Sequence, residues 1–187
     1  MRTVVLITGY ARAGKGTFAN AMIDAAKEEG YIEHLNFADC LKLGLNEMLA
    51  TFGQLSDATD FFNERFKAQH RDVLVTAGRF ARSLDRNVFA KSFCNRITDF
   101  RCDSHIICSD WRYLNELQVV KNDLGKTHRI ITVRVNTVGI EAANEEEGLS
   151  IGEITREVPI DYEYTFMPNG KTHIEAEGRE LARRLGL

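Results

Sequence analysis

Hydrophobic positions along the chain follow two alternating kinds of spacing. Thr3 to Thr8 is a continuous apolar run rich in β-branched residues, as in a strand buried on both faces of a parallel sheet. Gly9 to Gly16 is short and glycine-dense. From Thr17 the residues Phe18, Met22, Ile23 and Ala26 recur at helical spacing until Gly30, which stops the helix. A short strand is predicted over Tyr31 to Phe37, then a helix with Leu41, Leu45, Met48, Leu49 and Phe52 on one face. Beyond a polar break at Gly53 to Thr59 come two helical stretches. The first runs from Asp60 to Leu84 with an interruption expected near Gly78, and the second from Asn87 to Phe100, striped by Phe89, Phe93, Ile97 and Phe100.

His105 to Ser109 reads as the next buried strand, ending at Asp110. A helix with Leu114, Leu117, Val120 and Leu124 follows and is stopped by Gly125, and Arg129 to Val135 is another strand. Asn136 to Ile160 breaks the regular pattern and is acidic; its run Glu145-Glu146-Glu147 reads as a solvated face. A strand at Tyr164 to Met167, a turn at Pro168-Asn169-Gly170, and a helix carrying Ile174, Leu181, Ala182 and Leu185 close the chain. Strands alternating with helices predict an α/β fold, with about five parallel strands covered on both faces.

The 187 residues suffice for one core and are too few for two full-sized domains. Hydrophobic content of 44% and charged content of 27% exclude wholesale disorder. The balance of 24 basic to 27 acidic residues, net −3, offers no global positive field for a nucleic-acid polymer or a membrane. Locally the picture differs: from His70 to Arg101 there are eight basic or histidine positions against three acids. Cys40, Cys94, Cys102 and Cys108 have neither C-x-x-C pairing nor zinc-ligand spacing and read as reduced thiols. No apolar run approaches the roughly 20 residues that span a bilayer. Without a signal-peptide pattern, the expectation is a cytoplasmic chain.

The sharpest chemical signal is Gly9-Tyr10-Ala11-Arg12-Ala13-Gly14-Lys15-Gly16-Thr17. Its G-x-x-x-x-G-K spacing is that of a Walker A phosphate loop, with a glycine between the lysine and the hydroxyl residue. Such glycines let successive N–H groups turn inward towards phosphate oxygens, and the helix N-terminus adds its dipole. Lys15 supplies a point charge to the β- and γ-phosphates. Gly16 leaves no hydroxyl next to the lysine, so Mg²⁺ is expected to be held by phosphates and waters, with Thr17 donating to an α-phosphate oxygen. Asp110, at a strand's carboxyl end, is placed either as the ion's outer-shell partner through water or as an N-cap for the segment from Trp111.

The GKGT form resembles the phosphate loop of nucleoside monophosphate kinases such as adenylate kinase. The chain is more closely similar to the deoxynucleoside monophosphate kinases of bacteriophages. The matching pieces are Gly9 to Thr17, Phe37-Ala38 with Lys42, Arg71…Gly78…Phe89, Asp110-Trp111-Arg112…Glu116, and Asn169-Gly170. The resemblance implies a three-layer P-loop NTPase fold with strand order 2-3-1-4-5. It implies one kinase domain over 1–187, with a helical acceptor-binding insertion near 38–100 and a lid-like segment near 136–160. It also implies ATP as donor, Mg²⁺ as cofactor, a (deoxy)nucleoside monophosphate as acceptor, and a monomer or homodimer.

Under that reading Lys15, Arg112 and Asp110 are the catalytic group. Ala11, Arg12, Ala13, Gly14, Lys15, Gly16, Thr17 and Asn169 hold ATP. Lys42, Arg71, Gly78, Arg79, Arg82, Phe89 and Arg112 face the acceptor, whose phosphate calls for guanidinium partners. Arg134 and Arg156 are the candidates for a lid arginine. Plainer roles remain open: an ion pair with Glu116 for Arg112, a core position for Phe89, a simple turn for Asn169. Two rival functions also remain. One is another small-molecule kinase, of the dephospho-coenzyme A or phosphomevalonate kinase type; the other is a regulatory module driven by ATP.

Overall fold

The computed structural model describes residues 2–26, 32–99 and 104–187. The expected helix stop at Gly30, the strand start at Tyr31, and Phe100, Arg101 and Cys102 lie outside the described residues.

Five strands form one parallel sheet: β1 (Arg2–Thr8), β2 (Ile32–His34), β3 (His105–Cys108), β4 (His128–Thr137) and β5 (Tyr162–Phe166), in the order β2-β3-β1-β4-β5. The order 2-3-1-4-5 and the all-parallel pairing are those expected of a P-loop kinase fold. β1 is central, with Val4 beside Ile106 on one side and Ile130 on the other. Val4, Val5, Leu6 and Ile7 are wholly buried, which is why the run is continuously apolar rather than alternating.

Eight helices complete the described chain: α1 (Lys15–Ala26), α2 (Asp39–Thr51), α3 (Glu64–Gln69), α4 (Arg71–Leu84), α5 (Val88–Asp99), α6 (Leu114–Leu124), α7 (Glu145–Glu157) and α8 (Lys171–Leu185). One core layer joins Val5, Ile7 and Val133 to Phe18 and Met22 of α1 and Ile174, Leu181 and Leu185 of α8. The other joins Val4 and Leu6 to Phe93 of α5, Leu117 and Val120 of α6, and Ile151 and Ile154 of α7. Helices therefore cover both faces. At Gly178 the backbones of α8 and α1 approach so closely that a Cβ would sit 2.6 Å from the carbonyl oxygen of Phe18.

Three expectations about elements need correcting. The stretch from Asp60 to Leu84 breaks at His70 rather than at Gly78. Asn63 caps α3 by accepting from the N–H groups of Arg65 and Phe66, and His70 leaves helical geometry at φ −116°, ψ 33°; Gly78 is an interior, buried residue of α4. The apolar stripe of α2 meets the core only at its start, where Leu41 packs against it: Met48 and Phe52 are 45% and 68% exposed, and the helix's buried residues are Asp39 and Asn46. Periodicity shows that a helix has an apolar side but not what covers it. Finally, the irregular segment from Asn136 to Ile160 contains α7, started by Asn144, whose side chain accepts from the N–H of Glu147.

Candidate active site

Because the strands are parallel, the segments after β1, β3, β4 and β5 all leave the same edge of the sheet, where ligands of open α/β sheets bind. The segment after β1 is the glycine loop. Gly9 has φ +138°, and a Cβ there would lie 2.1 Å from the carbonyl oxygen of Val135 on β4, so only glycine lets the chain turn this close to its neighbour. Arg12 and Gly14 also take positive φ, 66° and 91°. Thr137, at the end of β4, donates its hydroxyl to the carbonyl of Ala13 at 3.1 Å. Around Gly16 no other part of the protein beyond its own helix turn and chain neighbours comes within 4 Å of where a Cβ would stand; packing does not demand the glycine.

Lys15 opens α1 and turns its ammonium back onto the loop, donating to the carbonyls of Gly9 and Tyr10 at 2.7 Å each. Burial, then the nearby Arg112 guanidinium, pull its pKa down to about 8, against weaker support from Glu147 and Asp110. Lys15, Arg112, Asp110 and Glu147 thus form one electrostatic group.

Asp110 serves as a clamp. Its Oδ1 accepts from the N–H of Phe37 at 2.9 Å and from the Cys108 thiol at 3.2 Å, and its Oδ2 accepts from the N–H of Ala38 at 3.0 Å. The carboxylate ties the start of α2 to the end of β3. It is not the cap of the next helix, which begins only at Leu114; there Glu116 Oε2 accepts from the N–H groups of Arg112 and Tyr113. Oδ1 is saturated, whereas Oδ2 keeps a lone pair. That fits a bond from a metal-bound water, and Mg²⁺ commonly keeps several waters beside substrate phosphates.

Arg112 does not pair with Glu116 through side chains. Glu116 is 3% exposed and takes backbone donors, and burial lifts its pKa to about 7. The Arg112 guanidinium instead lies 3.7 Å from Glu147 Oε1. Glu147 overturns the reading of the triple glutamate as a solvated face: it is 4% exposed, and Oε1 accepts from the N–H of Ala11 in the glycine loop at 3.1 Å. Sequence reasoning missed it, although Asn144 three residues earlier is the signal of a capped helix start.

Next to Arg112 in the chain, Tyr113 meets Arg82 of α4, which also meets Phe89 of α5. The Arg82 guanidinium lies over two rings, 4.6 Å from the centroid of Phe89 and 4.5 Å from that of Tyr113. Gly78 is buried, with Arg82 Nη1 and Leu41 3.5 Å from a would-be Cβ. Arg79 donates to Glu146 Oε2 at 3.0 Å, and the Tyr113 hydroxyl donates to Glu146 Oε1 at 2.6 Å. Arg79, Arg82, Gly78, Phe89 and Arg112 are therefore neighbours, joined by Tyr113 and Glu146, which sequence reasoning did not select. Phe89 also belongs to the core.

The remaining candidates stand apart. Lys42 pairs with Asp39 at 2.9 Å and lies over the Phe62 ring. Arg71 is exposed in the first turn of α4. Arg134 is held in the sheet by Glu163 of β5 at 2.8 Å. Arg156 is the exception, lining an acidic groove of about 660 Å³ together with Tyr113 and Glu146 as well as Glu145 and Glu153. Asn169 is exposed at φ 64° in the turn before α8, a geometry asparagine tolerates well. Among the described residues no helix is long and apolar enough to cross a membrane.

No protein-family model and no curated protein matches the chain. Solved structures do. The APS kinase CysC of Mycobacterium tuberculosis, as a Cys556Ala mutant, overlays with TM-score 0.56 at 15% identity, over 100% of this chain and 99% of that one. The same kinase in complex with AMPPNP and APS gives TM-score 0.56 at 16% identity, over 100% and 98%. At these identities the likeness establishes the fold, that of a P-loop kinase.

Proposed function

We propose that the protein is an ATP-dependent phosphotransferase that converts a (deoxy)nucleoside monophosphate to the diphosphate. The observation that carries this reading is the single edge on which Lys15 in its glycine loop, Arg112, and Arg79 and Arg82 of α4 converge. Phosphoryl transfer needs positioning and charge neutralisation rather than covalent catalysis. An oxygen of the acceptor phosphate bonds to the γ-phosphorus, the bond to the β–γ bridging oxygen breaks, and ADP leaves. Lys15 holds the β- and γ-phosphates, Arg112 bridges donor and acceptor, and Arg79 and Arg82 supply the acceptor side. Asp110 would hold Mg²⁺ through a water, and the ion would supply charge neutralisation to the phosphates when bound.

The carboxylates beside Lys15 favour a phosphate acceptor over a hydroxyl one. Asp110 and Glu147 are both engaged by backbone N–H groups, so neither is held in place as a free base for a hydroxyl. An ionised phosphate needs no base. The overlay on an APS kinase nonetheless keeps another small acceptor as a second reading.

A coupled assay with ATP and dTMP, dGMP, dCMP, dAMP and their ribo forms tests the proposal. ADP release should depend on one or more of them and fall about a hundredfold or more in Lys15→Ala, as for a lost oxyanion donor. ADP release indifferent to every monophosphate would refute it. Thermal shifts with sugar, sulfated and coenzyme acceptors would then identify the alternative.

A further inference from the structure

Two successive carboxylates hold α7 onto the rest of the site, each seated among groups suited to an anion. Glu147 Oε1 accepts from the N–H of Ala11 at 3.1 Å and lies 3.7 Å from Arg112 Nη2. Glu146 takes the opposite side, accepting from Arg79 at 3.0 Å and from the Tyr113 hydroxyl at 2.6 Å. Helix capping explains one oxygen of Glu147, since Oε2 accepts from the N–H of Ala143 at 2.8 Å. It does not explain the other, which reaches a loop amide 136 positions away in the chain. A buried anion on a phosphate-loop N–H beside a guanidinium makes the contacts that a phosphate oxygen makes.

We propose that Glu146 and Glu147 are an internal latch that stands in for substrate phosphates: Glu147 occupies donor-side contacts, Glu146 acceptor-side contacts, and each substrate displaces its own carboxylate to bind. The latch rests on the nucleotide reading of the site. Both carboxylates belong to one helix, so displacing either weakens the hold of α7 on the other. Donor and acceptor therefore assist one another through α7 without touching it at the same place. Donor alone leaves the helix tethered through Glu146, which keeps the site incomplete until the acceptor arrives.

The test is calorimetric titration of a non-hydrolysable ATP analogue with Mg²⁺ into the full chain and two variants. Glu147→Gln should bind at least about fivefold more tightly than the natural chain, the lower range of ordinary coupling between sites. Asn144→Ala, which uncaps the same helix but leaves the carboxylate in place, should not tighten binding. Unchanged or weaker binding by Glu147→Gln overturns the latch alone, as does equal tightening in Asn144→Ala. No binding by any of the three chains overturns the latch and the nucleotide reading together. Glu146→Gln should lower the acceptor KM by a similar factor, and an unchanged KM overturns the acceptor half. In the natural chain, independently of any variant's folding, the analogue should speed amide exchange over 141–150; slowed exchange there counts against release.

Discussion

The lowered pKa of Lys15 makes donor binding sensitive to pH in a range where lysine is ordinarily inert. Its ammonium must be charged to neutralise phosphate, yet burial and Arg112 bring its pKa to about 8. In the free protein the ammonium fraction falls from roughly nine-tenths at pH 7 to one-tenth at pH 9, so the apparent Kd for an ATP analogue should rise about tenfold. An unperturbed lysine near 10.4 would give almost no change over that interval. Titration at fixed ionic strength from pH 7 to 9.5 measures this directly, with Lys15→Met as the control whose profile stays flat. Stability moves the other way. The unfolded chain binds the extra proton between pH 8 and 10.5, so the cost of burying the charge, at most about 3 kcal/mol, is relieved as pH climbs through that window. A flat natural profile to pH 9.5, or the same slope in Lys15→Met, would refute the assignment.

Three further outcomes follow from the packing. Glu116 has its folded pKa raised to about 7, so the stability it lends protonated is lost as pH rises from about 4.5 through 7; Glu116→Gln should gain on the natural chain by up to about 3 kcal/mol between pH 5 and 8 in denaturant titrations. A difference independent of pH would remove Glu116 from the account. Gly178→Ala forces a methyl to 2.6 Å from the Phe18 carbonyl and 3.0 Å from Ala21 Cβ; overpacking of about 1–3 kcal/mol should lower Tm by several degrees, and an unshifted Tm would show that α1 and α8 separate freely. Asp110→Asn turns an amide donor towards the N–H of Phe37 or Ala38, for a loss of about 1–3 kcal/mol and a raised acceptor KM. Unchanged unfolding would mean that the clamp bears no strain.

The fold was readable where backbone need and composition coincide. Val4 to Ile7 is buried on both sides and shows it, and Gly9 and Gly14 mark a turn that only glycine makes. Spacing was less informative about partners. Arg112 and Glu116 are four apart, yet α6 starts after Arg112, so the carboxylate meets its backbone N–H and frees its guanidinium. In Glu145-Glu146-Glu147 three identical letters have three surroundings, set by which flank of α7 each occupies. The stripe of α2 likewise has the right period but loses its cover beyond Leu41, leaving Met48 and Phe52 exposed. What the sequence leaves hidden is tertiary: who stands opposite.

Helices α3 and α4, an arm between β2 and β3, bury little of themselves: α3 has no buried residue, and α4 has only Gly78. Since stability comes mainly from apolar surface removed from water, exchanging side chains along this arm subtracts little from the folded state. The arm that would choose the acceptor is thus the cheapest to rewrite, and substrate preference can drift there while the sheet and its loop stay as they are.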